Sequence, residues 1–342
     1  MSGAFSGRLT QRGVVRVTSL DPHGFLQGMF CNDLRSLTPG GSLYGCFLNK
    51  SGRVIADAIL MQSQKQQEGG MQTVFMDVDR TMASDVVKHL LEFKLRRKVK
   101  VEDVSDKVDL IATRLAAPQD ANQQQTLNQN GEFFPDPRSP YLRDDVTQDN
   151  SSSPVLLHRG VVPVEQQQQG AAASVSSEYD HLLIQNGIYE GPSVFTKEKS
   201  LPFEANLDML NGVSFHKGCY LGQELTHRTH VMLVTRKRTV PLVLGDHLGS
   251  GVGHHVAMDS SVSPSSWGAI GGTIFSDDGS KIGVLQAVAH NKAIGLLRLR
   301  YFDPATKRMR VKLDNGAIAT ASIPHWWEDE TVQKIFGNSS QE

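Results

Sequence analysis

Apolar and polar positions recur along this chain with two different periods, and the switches between them mark out its elements. Val14-Val15-Arg16-Val17 reads as a strand. Asp21-Pro22-His23-Gly24 follows as a turn, and its aspartate can cap what comes next. Phe25, Leu26, Met29, Phe30 and Leu34 then recur at helical spacing. Pro39-Gly40-Gly41 leads into a strand over residues 44–48. Asn49-Lys50-Ser51-Gly52 is a hairpin-type turn signal, with the returning strand at residues 54–60. Residues 73–78 form another strand, and residues 82–93 an amphipathic helix with Val86, Leu90 and Phe93 on one face. Strands at residues 99–101 and 108–113 close the block. Paired strands around helices predict an α+β domain over residues 1–113 rather than a doubly wound sheet.

The periodicity then lapses. Residues 116–177 hold runs such as Gln123-Gln124-Gln125, Ser151-Ser152-Ser153 and Ala171-Ala172-Ala173, with few large apolar side chains. Such a composition buries too little surface to offset ordering entropy, which predicts inserted mobile loops within a middle region of residues 114–236. Short ordered pieces are expected around residues 133–137 and Tyr141-Leu142. A helix is expected over residues 179–187, ended by Gly187. Beyond residue 237 the period of two returns in six strand-like runs, separated by turns such as Asp277-Asp278-Gly279 and Asp314-Asn315-Gly316. Regular short strands predict a small antiparallel β-barrel over residues 237–330.

Composition narrows the setting. The 342 residues carry a formal net charge of -1, so the chain-wide balance points to neither nucleic acid nor an anionic membrane surface. No apolar run approaches the ~20 residues of a membrane-spanning helix. Three cysteines, Cys31, Cys46 and Cys219, argue against a disulfide scaffold and for a reducing compartment, cytosol or mitochondrial matrix. The first residues have neither a secretory apolar core nor an Arg-rich amphipathic stretch, so a matrix protein with this start would already lack its presequence.

The densest chemistry lies in Lys217-Gly218-Cys219-Tyr220-Leu221-Gly222-Gln223-Glu224. Gly218 allows a tight or positive-φ backbone. A helix from Tyr220 to His230 would put Cys219 at its N-terminus, where free N–H groups and the dipole favour a thiolate, with Lys217 pushing the same way. Cys219, Gln223 and Thr226 would share one face. The competing reading is a small buried hydrophobe, as most free cysteines are. His216, Cys219, His227 and His230 invite a zinc reading, but one cysteine without CxxC-like spacing is a weak signal. His254-His255 reads as solvated. The basic run Lys94-Leu95-Arg96-Arg97-Lys98-Val99-Lys100 reads first as a solvated helix end, and second as a docking site. Trp326-Trp327 covers the base of a core or anchors a partner.

The eight-residue segment resembles the signature of the YgfZ-type folate-binding proteins, relatives of the aminomethyltransferase of the glycine cleavage system. The chain is similar to them also at Leu201-Pro202-Phe203-Glu204-Ala205-Asn206-Leu207-Asp208, at Arg228, at Arg236-Lys237-Arg238, at Phe25-Leu26-Gln27-Gly28 with Asn32-Asp33, and at Gly52-Arg53. Residues 225–230 are most similar to the mitochondrial branch, which assists assembly of iron–sulfur clusters. The resemblance implies a three-domain aminomethyltransferase-like ring around a central channel that can hold tetrahydrofolate. Glu204 would accept from the adjacent N–H donors of a pterin edge, or else serve as a helix-end or surface carboxylate. Arg228 or Arg236 would meet the anionic glutamyl tail, or form surface ion pairs of small value. Asn32 and Asp33 would line the cavity or cap their turn. Arg53, Asn206, Lys217 and Gln223 complete the folate-binding set that the resemblance implies.

Cys219 would contribute a thiolate to a [2Fe–2S] cluster. Such a cluster takes about four ligands, so a partner must supply the rest. The family's usual associates are A-type iron–sulfur carrier proteins; without one the chain is expected to be a monomer. Two other functions stay open. One is a folate-dependent aminomethyltransferase, with Asp77 and Asp79 as its carboxylates. The other is a non-catalytic scaffold with a vestigial folate pocket.

Overall fold

The structure is a computed structural model, and it describes residues 4–115, 131–144, 154–166, 174–232, 235–247 and 261–337. Half of the expected insertion, including its Gln, Ser and Ala runs, and His254-His255 lie outside the described residues.

The first sheet has five antiparallel strands in the order β3 (Ser42–Leu48), β4 (Val54–Gln62), β5 (Gln72–Asp79), β2 (Arg12–Ser19) and β6 (Lys100–Asp103). Helix α2 (Ala83–Lys94) covers one face through Val86 and Leu90. Every residue of β4 is buried, because the sheet is covered on both faces. Its alternation still shows: Ala56, Ala58 and Leu60 face the α2 side, while Ile59 and Met61 belong to the core on the other. Asp57 falls in step with the second set and is 1% exposed.

The helical spacing of residues 25–34 is not realised as a helix of that length. Helix α1 (Pro22–Leu26) is one short turn capped by Asp21, and Leu34–Ser36 form a separate 3-10 turn. The segment between is drawn off by long-range partners. Cys31 N–H donates to the Cys46 carbonyl, and Phe30 bridges Phe47. Tertiary hydrogen bonds override the local pattern here.

The second sheet runs β1 (Phe5–Arg8), β7 (Val108–Leu115), β9 (Leu156–Pro163), β8 (Glu132–Pro135). It joins two strands from the chain's first 115 residues to two from its middle. The ordered pieces expected in the middle region are β8 and the 3-10 turn Ser139–Tyr141. Strand β9 corrects the expectation of mobile loops there: it lies inside residues 116–177, yet it is a largely buried inner strand, because Leu157, Val161 and Val162 give it apolar contacts and both its neighbours pair with it. Helix α3 (Ser176–Gln185) ends before Gly187, which takes φ +71°.

The six remaining strands close into an antiparallel barrel, β10 (Lys237–Leu244), β13 (Lys292–Arg298), β12 (Lys281–Ala289), β11 (Thr273–Phe275), β14 (Arg308–Leu313), β15 (Ile318–Ser322) and back to β10. The turn glycines Gly279 and Gly316 have φ +81° and +87°, as the Asp-rich turn signals require. Trp267 fills the barrel core, and Trp327 is buried beside it.

A buried ionic cluster ties the two sheets together. Arg12 of β2 donates to Asp77 of β5 at 2.6 Å. Arg159 of β9 reaches Asp77 at 3.3 Å and Asp136 at 3.1 Å, and Arg138 pairs with Asp136 at 2.8 Å and Glu190 at 2.7 Å. Tyr179 Oη donates to Glu190 at 2.9 Å. All these carboxylates and guanidinium groups are at most 7% exposed. Burial alone would push the Glu190 carboxyl up, but Arg12, Arg138 and Arg159 together hold it well below the usual range. Asp77, one of the carboxylates considered for transferase chemistry, is a member of this cluster.

Candidate functional site

The Lys217–Glu224 segment is a loop, and helix α4 (Gln223–Met232) starts only at its end. Cys219 therefore precedes the helix by four residues instead of sitting at its N-terminus. The dipole acts over about one turn, so the helix-based argument for a thiolate loses its geometry. The shared face of Cys219, Gln223 and Thr226 is lost with it. Cys219 is exposed, whereas Cys31 and Cys46 are buried with their sulfurs 3.4 Å apart. The small-buried-hydrophobe reading fits those two and not Cys219.

Lys217 fixes the loop. Its ammonium donates to the carbonyls of Gln27, Phe30 and Asn32 at 2.7, 2.6 and 2.8 Å, and lies 5.0 Å from the Tyr220 ring centre. Three donors meet three acceptors, so the group is fully engaged. Burial pulls it down to about 8, which leaves it charged at neutral pH. These same carbonyls belong to the segment that fails to continue helix α1. Leu221 N–H also donates to Gly28 O, and Gln223 Oε1 accepts from Tyr220 N–H.

The glycines divide differently from the sequence expectation. Gly218 has no positive φ, and a Cβ there would meet nothing within 4 Å. Gly222 takes the positive φ instead: its φ is +80°, and a Cβ would meet Asn49 O at 2.4 Å and Leu48 Cβ at 2.8 Å. Its carbonyl in turn would lie 2.8 Å from a Cβ on Gly52. The hairpin turn of residues 49–52 and the cysteine loop thus touch backbone to backbone, which only glycines at both positions permit.

Most of the expected folate-binding residues face the protein. Asn32 Nδ2 donates to Tyr44 O and Asn211 O, and its Oδ1 accepts from Asp33 N–H. Asp33 accepts from Gln27 and Arg35, and the Arg35 guanidinium holds its carboxyl far below the usual range. Asn206 sits at φ +61°, fully buried, donating to Thr239 O and accepting from Arg238. It anchors the first barrel strand. Glu204 Oε2 accepts from Leu201 N–H at 2.9 Å and closes its own 3-10 turn, the helix-end alternative. Arg53 donates to Lys199 O, and Arg228 is exposed on α4. With Asn32, Asp33, Asn206, Lys217 and Gln223 engaged internally, the candidates do not assemble a set of partners for tetrahydrofolate.

Two features escaped the sequence reading. Asp57 is a buried carboxylate that accepts from Gly191 N–H at 3.0 Å and is pushed up to about 6, chiefly by burial. A single aspartate inside the apolar run 54–60 was its signal. The second is the 3.6 Å stack of Phe215 on His230, with Phe203 edge-on, which supports α4 beside the loop. Among the described residues, no group of three or more His, Cys, Asp or Glu stands at metal-binding spacing.

A family model for the CAF17 C-terminal beta-barrel domain matches residues 236–329, the barrel described above. The human mitochondrial iron–sulfur cluster assembly factor IBA57 is 30% identical over 341 residues, covering 96% of this chain and 86% of that protein. The chain belongs to the IBA57/CAF17 family. Fungal homologues of that factor agree: those of Mycosarcoma maydis and Aspergillus fumigatus are 35% and 33% identical over 69% of this chain. The chain spans only 56% and 57% of those two relatives. Among solved structures, aminomethyltransferase T of the glycine cleavage system from Bartonella henselae superposes with a TM-score of 0.64 at 15% identity, covering 95% of this chain. The family membership and the aminomethyltransferase-like fold implied by the cysteine signature are therefore shown, while at that identity the superposition speaks for the fold alone.

Proposed function

We propose that this chain is an assembly factor for iron–sulfur clusters in mitochondria, and that Cys219 lends one thiolate to a [2Fe–2S] cluster whose other ligands come from an A-type carrier protein. The observation that carries the reading is the contrast within one loop: Cys219 is exposed while Lys217, Tyr220 and Gln223 on either side are held by hydrogen bonds. A ligand offered to a second protein needs an open sulfur on a fixed backbone. The names of its relatives, mitochondrial iron–sulfur cluster assembly factors, support the same process. Helix α4 extends the surface around the cysteine with exposed Glu224, His227, Arg228 and Val231. Balance requires the thiol proton to leave to solvent as the Fe–S bond forms, with no change in cluster oxidation state. The test is anaerobic reconstitution with an A-type carrier. Wild type is expected to give a cluster-bearing complex with charge-transfer absorption, and Cys219→Ser to give none. Equal complexes from both proteins would remove Cys219 as the ligand.

A further inference from the structure

The chain's near-neutral total hides a one-sided edge at the end of helix α2. Residues 88–100 contain six Lys and Arg and a single carboxylate, Glu92. Glu92 faces Lys50 at 4.0 Å, and Lys100 pairs with Glu102. Among the described residues no carboxylate pairs with Lys88, Lys94, Arg96 or Lys98. In the middle of these cations Leu95 is 87% exposed. It also sits at φ +50°, ψ -123°, a conformation that suits glycine and strains leucine. A solvated helix end has no use for either feature. Leu91, in the last turn of the helix, is 47% exposed, and Leu20 is 67% exposed. Leu20 belongs to the same edge: Thr18 of β2 pairs with Lys100 of β6, and Arg97 donates to Gly24 O at 2.7 Å.

We propose that this edge docks the chain on an anionic phospholipid bilayer, with Leu95 and Leu20 entering the headgroup boundary and the surrounding Lys and Arg meeting lipid phosphates. Protruding leucines ringed by cations fit a bilayer better than a protein pocket, where Trp, Tyr and Arg anchors dominate. The contact is reversible and adds no membrane-spanning segment.

Sedimentation of the full chain with vesicles tests it. Binding is expected to phosphatidylcholine mixed with roughly one quarter phosphatidylglycerol, at low salt, and not to phosphatidylcholine alone. Replacing Arg96 and Lys98 by Ala should weaken it about 25-fold, from about fivefold per lost charge. Leu95→Gly is the decisive variant. It relieves the strained backbone, so its thermal midpoint should rise while its vesicle affinity falls about tenfold. Cys219→Ser should bind vesicles as wild type does, which separates this proposal from the cluster reading. Absence of binding to anionic vesicles overturns the proposal, as does a Leu95→Gly protein that binds unchanged. Capture of polyglutamate but not vesicles would assign the edge to an acidic protein and overturn it equally.

Discussion

The buried cluster around Arg159 and the loop around Cys219 handle polar groups in opposite ways. In the cluster, Arg12, Arg138 and Arg159 meet Asp77, Asp136 and Glu190 out of reach of water, and the charges join strands that are far apart in sequence. In the loop, the polar groups of Lys217 and Gln223 satisfy nearby backbone and leave one side chain, Cys219, turned outward. One arrangement fixes how the sheets sit together, and the other holds the backbone around an exposed sulfur. The rigid ion pairs serve assembly of the chain, while the proposed function of the loop requires further ligands from outside it.

Removing one charge from the cluster should break that comparison most visibly. Arg159→Leu leaves Asp77 and Asp136 each short of a cation inside the protein, and should cost about 3–5 kcal/mol of stability in chemical denaturation. A loss below about 1 kcal/mol would mean that the cluster is not what holds the two sheets. On the loop side, Gly222→Ala adds a Cβ at φ +80° against Asn49 O, and should cost about 2–3 kcal/mol. Cluster formation with the carrier should fall as well, since the cysteine loop would lift from the 49–52 turn. An alanine variant that keeps wild-type stability would show that this contact is easily relaxed.

The edge of the ionic cluster carries a pH signature. Asp180, on α3, is pushed from 3.8 up to about 7, first by burial and then by the neighbouring Glu190 charge. A native carboxyl that holds its proton while the unfolded one releases it stabilises the fold at low pH. That contribution is lost as pH rises from about 4 to about 7. Asp180→Asn keeps the shape without the charge. It should gain on wild type by about 2 kcal/mol across that window, less than the full shift because the side chain keeps some solvent contact. Parallel stability curves for the two proteins from pH 4 to 8 would rule the shift out.

How much of this was readable beforehand follows from the range of the interactions. The barrel strands were legible because alternation and turn glycines are local. The cysteine signature was legible as a pattern, and so was the family. The role of Lys217 was not, because its partners are backbone carbonyls of residues 27–32, which no side-chain pattern reveals. The ionic cluster was equally hidden: Arg12, Asp77, Asp136, Arg159 and Glu190 are single charges in five separate segments, each resembling a solvated residue until the strands assemble. The helix expected after Phe25 failed for a similar reason, since backbone partners distant in sequence, at Cys46 and Phe47, draw residues 30 and 31 out of it.

The finest test separates the two glycines of the signature, which look alike in sequence. Gly218 adjoins Cys219 and was the natural choice for a strained turn, yet it has ordinary φ and open space where a side chain would go. Gly218→Ala should therefore change stability by less than about 0.5 kcal/mol and, by narrowing the backbone's freedom in the unfolded chain, in the stabilising direction. Its value lies in the second readout. If cluster transfer falls in Gly218→Ala while the fold is unchanged, the glycine is kept for what must approach Cys219 rather than for the turn, and the open space beside the sulfur belongs to the partner. If transfer is also unchanged, the approach to Cys219 comes from the α4 side, past Glu224 and Arg228.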